Sequence, residues 1–186
     1  MNGDATNRTP NLGTNRATLR AFIALDLPAS ILRALATTQE QLKEYLRAHG
    51  GDAALRWSPI KNLHLTLRFL GDTTPRQREQ LTARLQAIVA QTAPFELHVD
   101  VSGRGLGGFP NLRQPRVLWS GVGGDLEQLG QLQAETEAIA QAVGFAPEEK
   151  SYSPHLTLAR AAREADRRAL MQVGQALGNY QSAAMP

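Results

Sequence analysis

Apolar residues recur along this chain with two different periods, and the switches between them mark out its elements. Arg20-Ala21-Phe22-Ile23-Ala24-Leu25-Asp26-Leu27-Pro28 is short, largely apolar and closed by a proline that cannot continue a ladder, which predicts a buried strand. A helix should follow, from the near-helical spacing of Ile31, Leu32, Leu35, Leu42 and Leu46, with Ser30 as its cap and Gly50-Gly51 as its stop. After Trp57-Ser58-Pro59 the period drops to two in His64-Leu65-Thr66-Leu67. The same order returns later in the chain. Arg116 to Val122 predicts a strand, Gly123-Gly124 a turn, and Leu126, Leu129, Leu132, Ile139 and Val143 the apolar stripe of a helix ended by Gly144. Tyr152-Ser153-Pro154 then leads into His155-Leu156-Thr157-Leu158. Between the halves, Pro75 to Ala93 reads as a helix with Leu81, Leu85, Ile88 and Val89 on one face, and Phe95 to Val101 as an amphipathic strand. Gly103 to Pro115 reads as a glycine-rich irregular segment; it lacks the strand-to-helix setting and the Gly-Lys-Ser/Thr ending of a phosphate loop.

The tetrapeptide His-Leu-Thr-Leu thus occurs twice and takes up two of the four histidines. In a strand, His64 and Thr66 share one face while Leu65 and Leu67 share the other, and the second copy divides in the same way. Each copy can bury a leucine pair and present an imidazole with a hydroxyl. From Phe22 to His64 is 42 residues and from Val117 to His155 is 38, so the whole order of strand, helix, Ser-Pro lead-in and His-x-Thr strand recurs. The expected fold is α+β: two pseudo-symmetric lobes, each an antiparallel sheet backed by helices, with a central cleft between the two His-x-Thr strands. Residues 1–17 are expected to be a flexible N-terminal extension, residues 18–178 a single bilobal domain, and residues 179–186 an irregular tail.

Composition narrows this picture. With 186 residues, 42% hydrophobic and 20% charged, one soluble domain is the expectation. A net charge of +3 and a pI near 9.7 favour a phosphate-bearing ligand, without the dense basic stripe of a duplex binder. The absence of cysteine excludes disulfides and thiolate metal sites and fits a cytoplasmic protein, and the polar leader resembles neither a secretory signal nor a membrane span.

Paired histidines suit in-line displacement at phosphorus, which needs a base on the attacking oxygen and an acid on the leaving oxygen. An imidazole can serve in either state near neutral pH. The threonine hydroxyls can bond non-bridging phosphate oxygens. No carboxylate cluster accompanies either histidine at ligand spacing, so neither a metal nor another cofactor is expected. His49 and His98 are expected to lie outside the site, the first at a helix C-terminus. Arg160, Arg163, Arg167 and Arg168 are interleaved with Glu164 and Asp166, which favours a solvated helix face over an RNA-backbone contact.

Asn62 to Gly71, Arg20 to Pro28, Phe109-Pro110 and Ser153-Pro154-His155-Leu156-Thr157-Leu158-Ala159-Arg160 together resemble the two-histidine phosphoesterases, and among them the RNA 2',3'-cyclic phosphodiesterases once called 2'-5' RNA ligases. The likeness covers Leu19 to Arg160. It implies metal-independent opening of a terminal ribose 2',3'-cyclic phosphate to a 2'-phosphate, with an RNA or oligonucleotide bearing that end as partner, no membrane, and a monomer. By matching motifs it implies His64 as proton donor to the departing 3' oxygen and His155 as the acceptor that activates water. Thr66 and Thr157 would hold the phosphate, Phe69 would stack on the terminal base, and Arg160 and Arg68 would contribute charge near the phosphate. Strict alternation puts Phe69 and Arg160 on the face opposite their histidines, so a bulge or strand end is required. The tail from Gly174 to Pro186 shows no apolar alternation, where the family usually adds further strands. The alternatives are a non-catalytic nucleotide or RNA-end binding module on the same fold, or an enzyme joining RNA ends through a 2'-5' bond.

Overall fold

Seven strands and four α-helices make up the computed structural model, which describes residues 18–183 apart from 101, 103 and 104. The expected flexible extension over 1–17 lies outside the described residues. In chain order the elements are β1 (Leu19–Asp26), α1 (Ala29–Ala48), β2 (Leu55–Trp57), β3 (His64–Thr73), α2 (Pro75–Gln91), β4 (Leu97–Val99), β5 (Leu106–Phe109), β6 (Val117–Gly124), α3 (Leu126–Ala142), β7 (His155–Ala161) and α4 (Arg167–Ala183). Strands β1 and β3 form one antiparallel pair. The others form a second antiparallel sheet in the order β2-β7-β6-β4, with β5 also paired to β6. This is the mixed architecture of antiparallel sheets and helices expected from the sequence.

Helices α1 and α3 do not back the strands that precede them. Helix α1 follows β1 but packs on the larger sheet: Leu35, Leu42 and Leu46 are buried, and Gln39 Nε2 donates to the carbonyls of Ser58 (3.1 Å) and Leu158 (3.0 Å), the latter in β7. Beside it lies α4, joined to it by the Tyr45–Tyr180 edge contact, with ring centroids 5.0 Å apart, and by Gln172 donating to the His49 carbonyl. Helix α3, which follows β6, instead lies against β3 and α2. The two halves of the chain are therefore interlaced. Helices α1 and α3 end alike: Gly51 N–H bonds Leu46 O and Phe145 N–H bonds Ala140 O, closing six-residue loops around Gly50 and Gly144, whose φ angles are +74° and +97°. Helix α2 starts at a reciprocal cap in which Gln77 N–H donates to Thr74 Oγ1 and Thr74 N–H to Gln77 Oε1, with Pro75 where a missing N–H costs nothing.

Several expectations need correction. Ser30 does not cap α1, whose N-cap is Pro28 with no side-chain bond. Gly123 and Gly124 are not a turn but the end of β6, paired with His98 and Leu97. Leu126 is exposed, so the buried stripe of α3 begins at Leu129. The glycine-rich segment contains a strand, β5. The Trp119 ring crosses it so closely that a Cβ on Gly107 would overlap that ring. The tail is helical as far as Ala183, and Leu170, Val173, Ala176 and Leu177 of α4 are core residues.

Arg68 ties β3 to α3. It is 8% exposed, ion-paired with Glu137 of α3 and with Glu148 (3.1 Å), and donates to the carbonyls of Phe69 and Ala146. Burial alone would raise the Glu137 carboxyl above its ordinary 4.5, but hydrogen bonds from Gln141 and from the Glu148 N–H, with the Arg68 charge, outweigh it and hold the group lower. A depressed carboxylate stabilises the fold above its unfolded value, and that contribution disappears as pH falls through the folded value. Urea titrations should therefore show a stability loss below about pH 4.5 that Glu137→Gln diminishes. Arg68→Ala, which leaves the partly buried Glu137 carboxylate without its ion-pair partner, should cost about 1–3 kcal/mol at pH 7.

Candidate active site

Strands β3 and β7 repeat one burial sequence over their first six residues: a half-buried histidine, a buried leucine, a half-buried threonine, two buried residues and an exposed one. Leu65, Leu67, Leu156 and Leu158 belong to the common core. Their burial turns His64 and Thr66, and likewise His155 and Thr157, to the opposite face.

The imidazoles are anchored identically. His64 Nδ1 lies 2.8 Å from the Asn62 carbonyl and His155 Nδ1 lies 2.7 Å from the Ser153 carbonyl, each two residues upstream. A carbonyl oxygen only accepts, so Nδ1 carries the hydrogen in both rings and Nε2 is the nitrogen left to give or take a proton. The Ser-Pro lead-in of the second motif supplies one of these carbonyls. Each ring also leans on aromatics. His64 stacks on Phe22 at a centroid distance of 4.4 Å, whereas His155 meets Phe109 edge-on at 4.9 Å and Trp119 at 6.0 Å. The side-chain hydroxyls of Thr66 and Thr157 have no hydrogen-bond partner among the described residues.

A bulge in each motif strand decides which later side chains join the histidines. In β3 the register passes from Ala24↔Thr66 to Ile23↔Arg68, leaving Leu67 unpaired; in β7 it passes from Trp119↔Thr157 to Leu118↔Ala159, leaving Leu158 unpaired. One extra residue reverses the alternation beyond it. Phe69 and Arg160 consequently return to the histidine face, both exposed, and Phe69 lies 6.2 Å from Phe22. Arg68 is carried the other way. The expectation that it adds charge near a phosphate is corrected, because its guanidinium is buried among Glu137, Glu148 and two carbonyls behind the sheet.

The two motif strands are held next to each other. Tyr152, on the lead-in to β7, donates its hydroxyl to the Thr66 carbonyl at 3.3 Å, and burial pushes its pKa up to about 12, so it remains a donor throughout the neutral range. His49 caps α1 with its ring on Tyr45, and His98 lies on β4; neither joins the site. Among the described residues, no group of three or more His, Asp or Glu side chains could hold a metal ion. Among the same residues, no helix is long and apolar enough to cross a membrane. Phe22, Phe109 and Trp119 touch the imidazoles, a role that the sequence alone does not assign to them. Phe22 and Trp119 lie on β1 and β6, which pair with the motif strands, and Phe109 lies on β5 one strand further out; only pairing tells which face they take.

Comparison with known proteins agrees with this geometry. The family model described as the 2'-5' RNA ligase superfamily matches residues 31–182. A protein of Methanothermobacter thermautotrophicus named RNA 2',3'-cyclic phosphodiesterase is 31% identical over 167 residues, 90% of this chain and 84% of that protein. One of the same name from Aeropyrum pernix is 36% identical over 121 residues, and the match covers 65% of each, less than two thirds of that relative's length. Among solved structures, a Thermus thermophilus protein superposes with a TM-score of 0.63 at 30% identity, covering 80% of this chain and 78% of that one. Escherichia coli LigT complexed with 3'-AMP gives 0.58 at 30% identity, covering 81% and 77%. A family match across most of the chain, meeting a doubled and identically anchored histidine motif, makes this chain a member of the 2'-5' RNA ligase superfamily.

Proposed function

We propose that this protein hydrolyses RNA 2',3'-cyclic phosphate ends to 2'-phosphate without a metal, using His64 and His155 as a proton-transferring pair in one cleft. The observation that carries this reading is the matched anchoring of both imidazoles, which fixes the same tautomer in each and leaves each Nε2 for chemistry. The names of the relatives supply the substrate class. Contact between β3 and β7, bridged by Tyr152 and Thr66, supports a shared cleft.

In the proposed reaction His155 Nε2 takes a proton from water as its oxygen bonds to phosphorus. The bond from phosphorus to the 3' oxygen breaks, and His64 Nε2 delivers a proton to that oxygen, leaving the phosphate on the 2' oxygen. The hydroxyls of Thr66 and Thr157 donate to the non-bridging oxygens, where negative charge grows. Phe69, with Phe22 beside it, offers an exposed aromatic surface to the terminal base; they are 55% and 48% exposed. Arg160 supplies positive charge on the face of His155. A chain without cysteine suits the cytoplasm, and the reading needs only a monomer.

The direct test is incubation with an oligonucleotide ending in a 2',3'-cyclic phosphate, in the presence of a chelator, with chromatography of the terminal phosphate. Formation of a 2'-phosphate is expected. Binding without turnover would favour a non-catalytic RNA-end module, and a 2'-5' linked product an end-joining enzyme. His64→Ala and His155→Ala should each lower kcat by about 10²–10⁴-fold while circular dichroism stays unchanged. Thr66→Val and Thr157→Val should each cost about 10²-fold in kcat with little change in KM, since the hydroxyls act where charge develops.

A further inference from the structure

Beyond the bulge in β7, one row of side chains crosses the larger sheet on the histidine face: Val117, Arg160 and Arg56. Arg56 and Arg160 stand directly opposite each other in the β2–β7 pair, so their Cβ atoms are about 4.5–5.5 Å apart and on one face. That face is fixed independently by their neighbours. Trp57 and Ala159 point the other way, toward α1, where Lys43 Nζ lies 5.6 Å from the Trp57 ring. Both arginines are exposed, and neither makes an ion pair or side-chain hydrogen bond among the described residues. Like charges directly opposite in a sheet work against pairing. Any anion bound between them would relieve that repulsion, and arginine in particular takes phosphate through paired N–H donors.

The row is not at the reacting centre. With about 3.3 Å of rise per residue, Arg160 lies about 13–16 Å along β7 from His155. That exceeds the extent of a single phosphate but is within reach of the strand to which the phosphate is joined. We propose that Arg56 and Arg160 form a subsite for an internucleotide phosphate on the 5' side of the cyclic end, so that the protein favours oligonucleotides over cyclic mononucleotides. This rests on the function proposed above and adds Arg56 as a residue that selects for chain length.

The experiment compares an oligonucleotide ending in a 2',3'-cyclic phosphate with 2',3'-cyclic AMP, for the wild type and for Arg56→Gln, across a salt series. The wild type should turn over the oligonucleotide with at least tenfold higher kcat/KM and a steeper salt dependence. Arg56→Gln should lose about tenfold in kcat/KM on the oligonucleotide, chiefly through KM, and flatten its log–log salt slope by about 0.7, the value for one phosphate contact on a single strand. Its loss on the mononucleotide should be under twofold. Arg56→Lys should restore part of the salt slope, and the Tm of Arg56→Gln should stay level or rise, because repulsion is removed. Equal losses on both substrates, or an unchanged salt slope, would overturn the subsite while leaving the hydrolase reading in place. If the wild type turned over neither substrate, that reading would fail. The subsite would then be judged on binding of a fluorescent oligonucleotide carrying a 2'-phosphate end, where equal affinity of wild type and Arg56→Gln would sink it.

Discussion

Burial of four leucines governs the geometry of everything else on the two motif strands. Leu65, Leu67, Leu156 and Leu158 are almost fully buried, and a strand must send the residues between them to the other side. A slip of one residue in either pairing would drive its leucines into water and its imidazole and hydroxyl into the core. At about 1.5–3 kcal/mol for each buried leucine, a double slip forfeits about 6–12 kcal/mol, comparable to the net stability of an ordinary domain. The histidines need no strong interaction of their own to hold their direction. Core packing sets the face, and a single bond from each Nδ1 to the backbone sets the tautomer and the ring's rotation.

How the two strands sit beside each other is a separate problem, and polar groups handle it. Gln39 reaches from α1 to the Leu158 carbonyl, Arg68 from β3 to Glu137 and Glu148, and Tyr152 from the β7 lead-in to the Thr66 carbonyl. Each connects segments far apart in sequence, and Gln39 and Arg68 are themselves buried, where a polar group left unpaired would cost about 1–3 kcal/mol. Apolar contacts would tolerate sliding between the halves; these directional bonds do not. Interlacing the helices adds to the effect, because α1 and α3 each pack against the sheet that the other half of the chain builds.

The sequence alone reveals the motif faces, because period two is unambiguous in His-Leu-Thr-Leu, and it reveals α1 and α3, because their leucines recur at helical spacing. Period two by itself does not reveal the outcome at Arg68 and Phe69. Alternation from His64 assigns Arg68 to the site and Phe69 to the core, and the bulge at Leu67 exchanges them. A bulge is a property of two paired strands, and one strand read by itself carries no trace of it. Helix α4 escapes a reading of the sequence for another reason. Its apolar positions at Leu170, Val173, Leu177 and Tyr180 have helical spacing, but Gly174 and Gly178 among them suggest a loop. Gly174 lies where the Arg113 carbonyl approaches so closely that a Cβ would collide with it, a tertiary demand that no local pattern announces. Strand β5 is hidden in the same way by Gly107, which makes room for Trp119.

Because both motif strands carry a bulge at the same place, the fifth residue after each histidine faces the same way, and the two copies have filled it differently. On β3 it is Phe69, across from Phe22; on β7 it is Arg160, across from Val117 on one side and Arg56 on the other. One sheet therefore presents aromatic surface and the other paired positive charge, although the histidines and threonines between them are alike. A nucleotide end has the same division, a flat base on one side of the ribose and a charged chain on the other. Duplicated chemistry at the centre flanked by unlike rows suits a substrate whose reacting phosphate is locally symmetric but whose two sides are not.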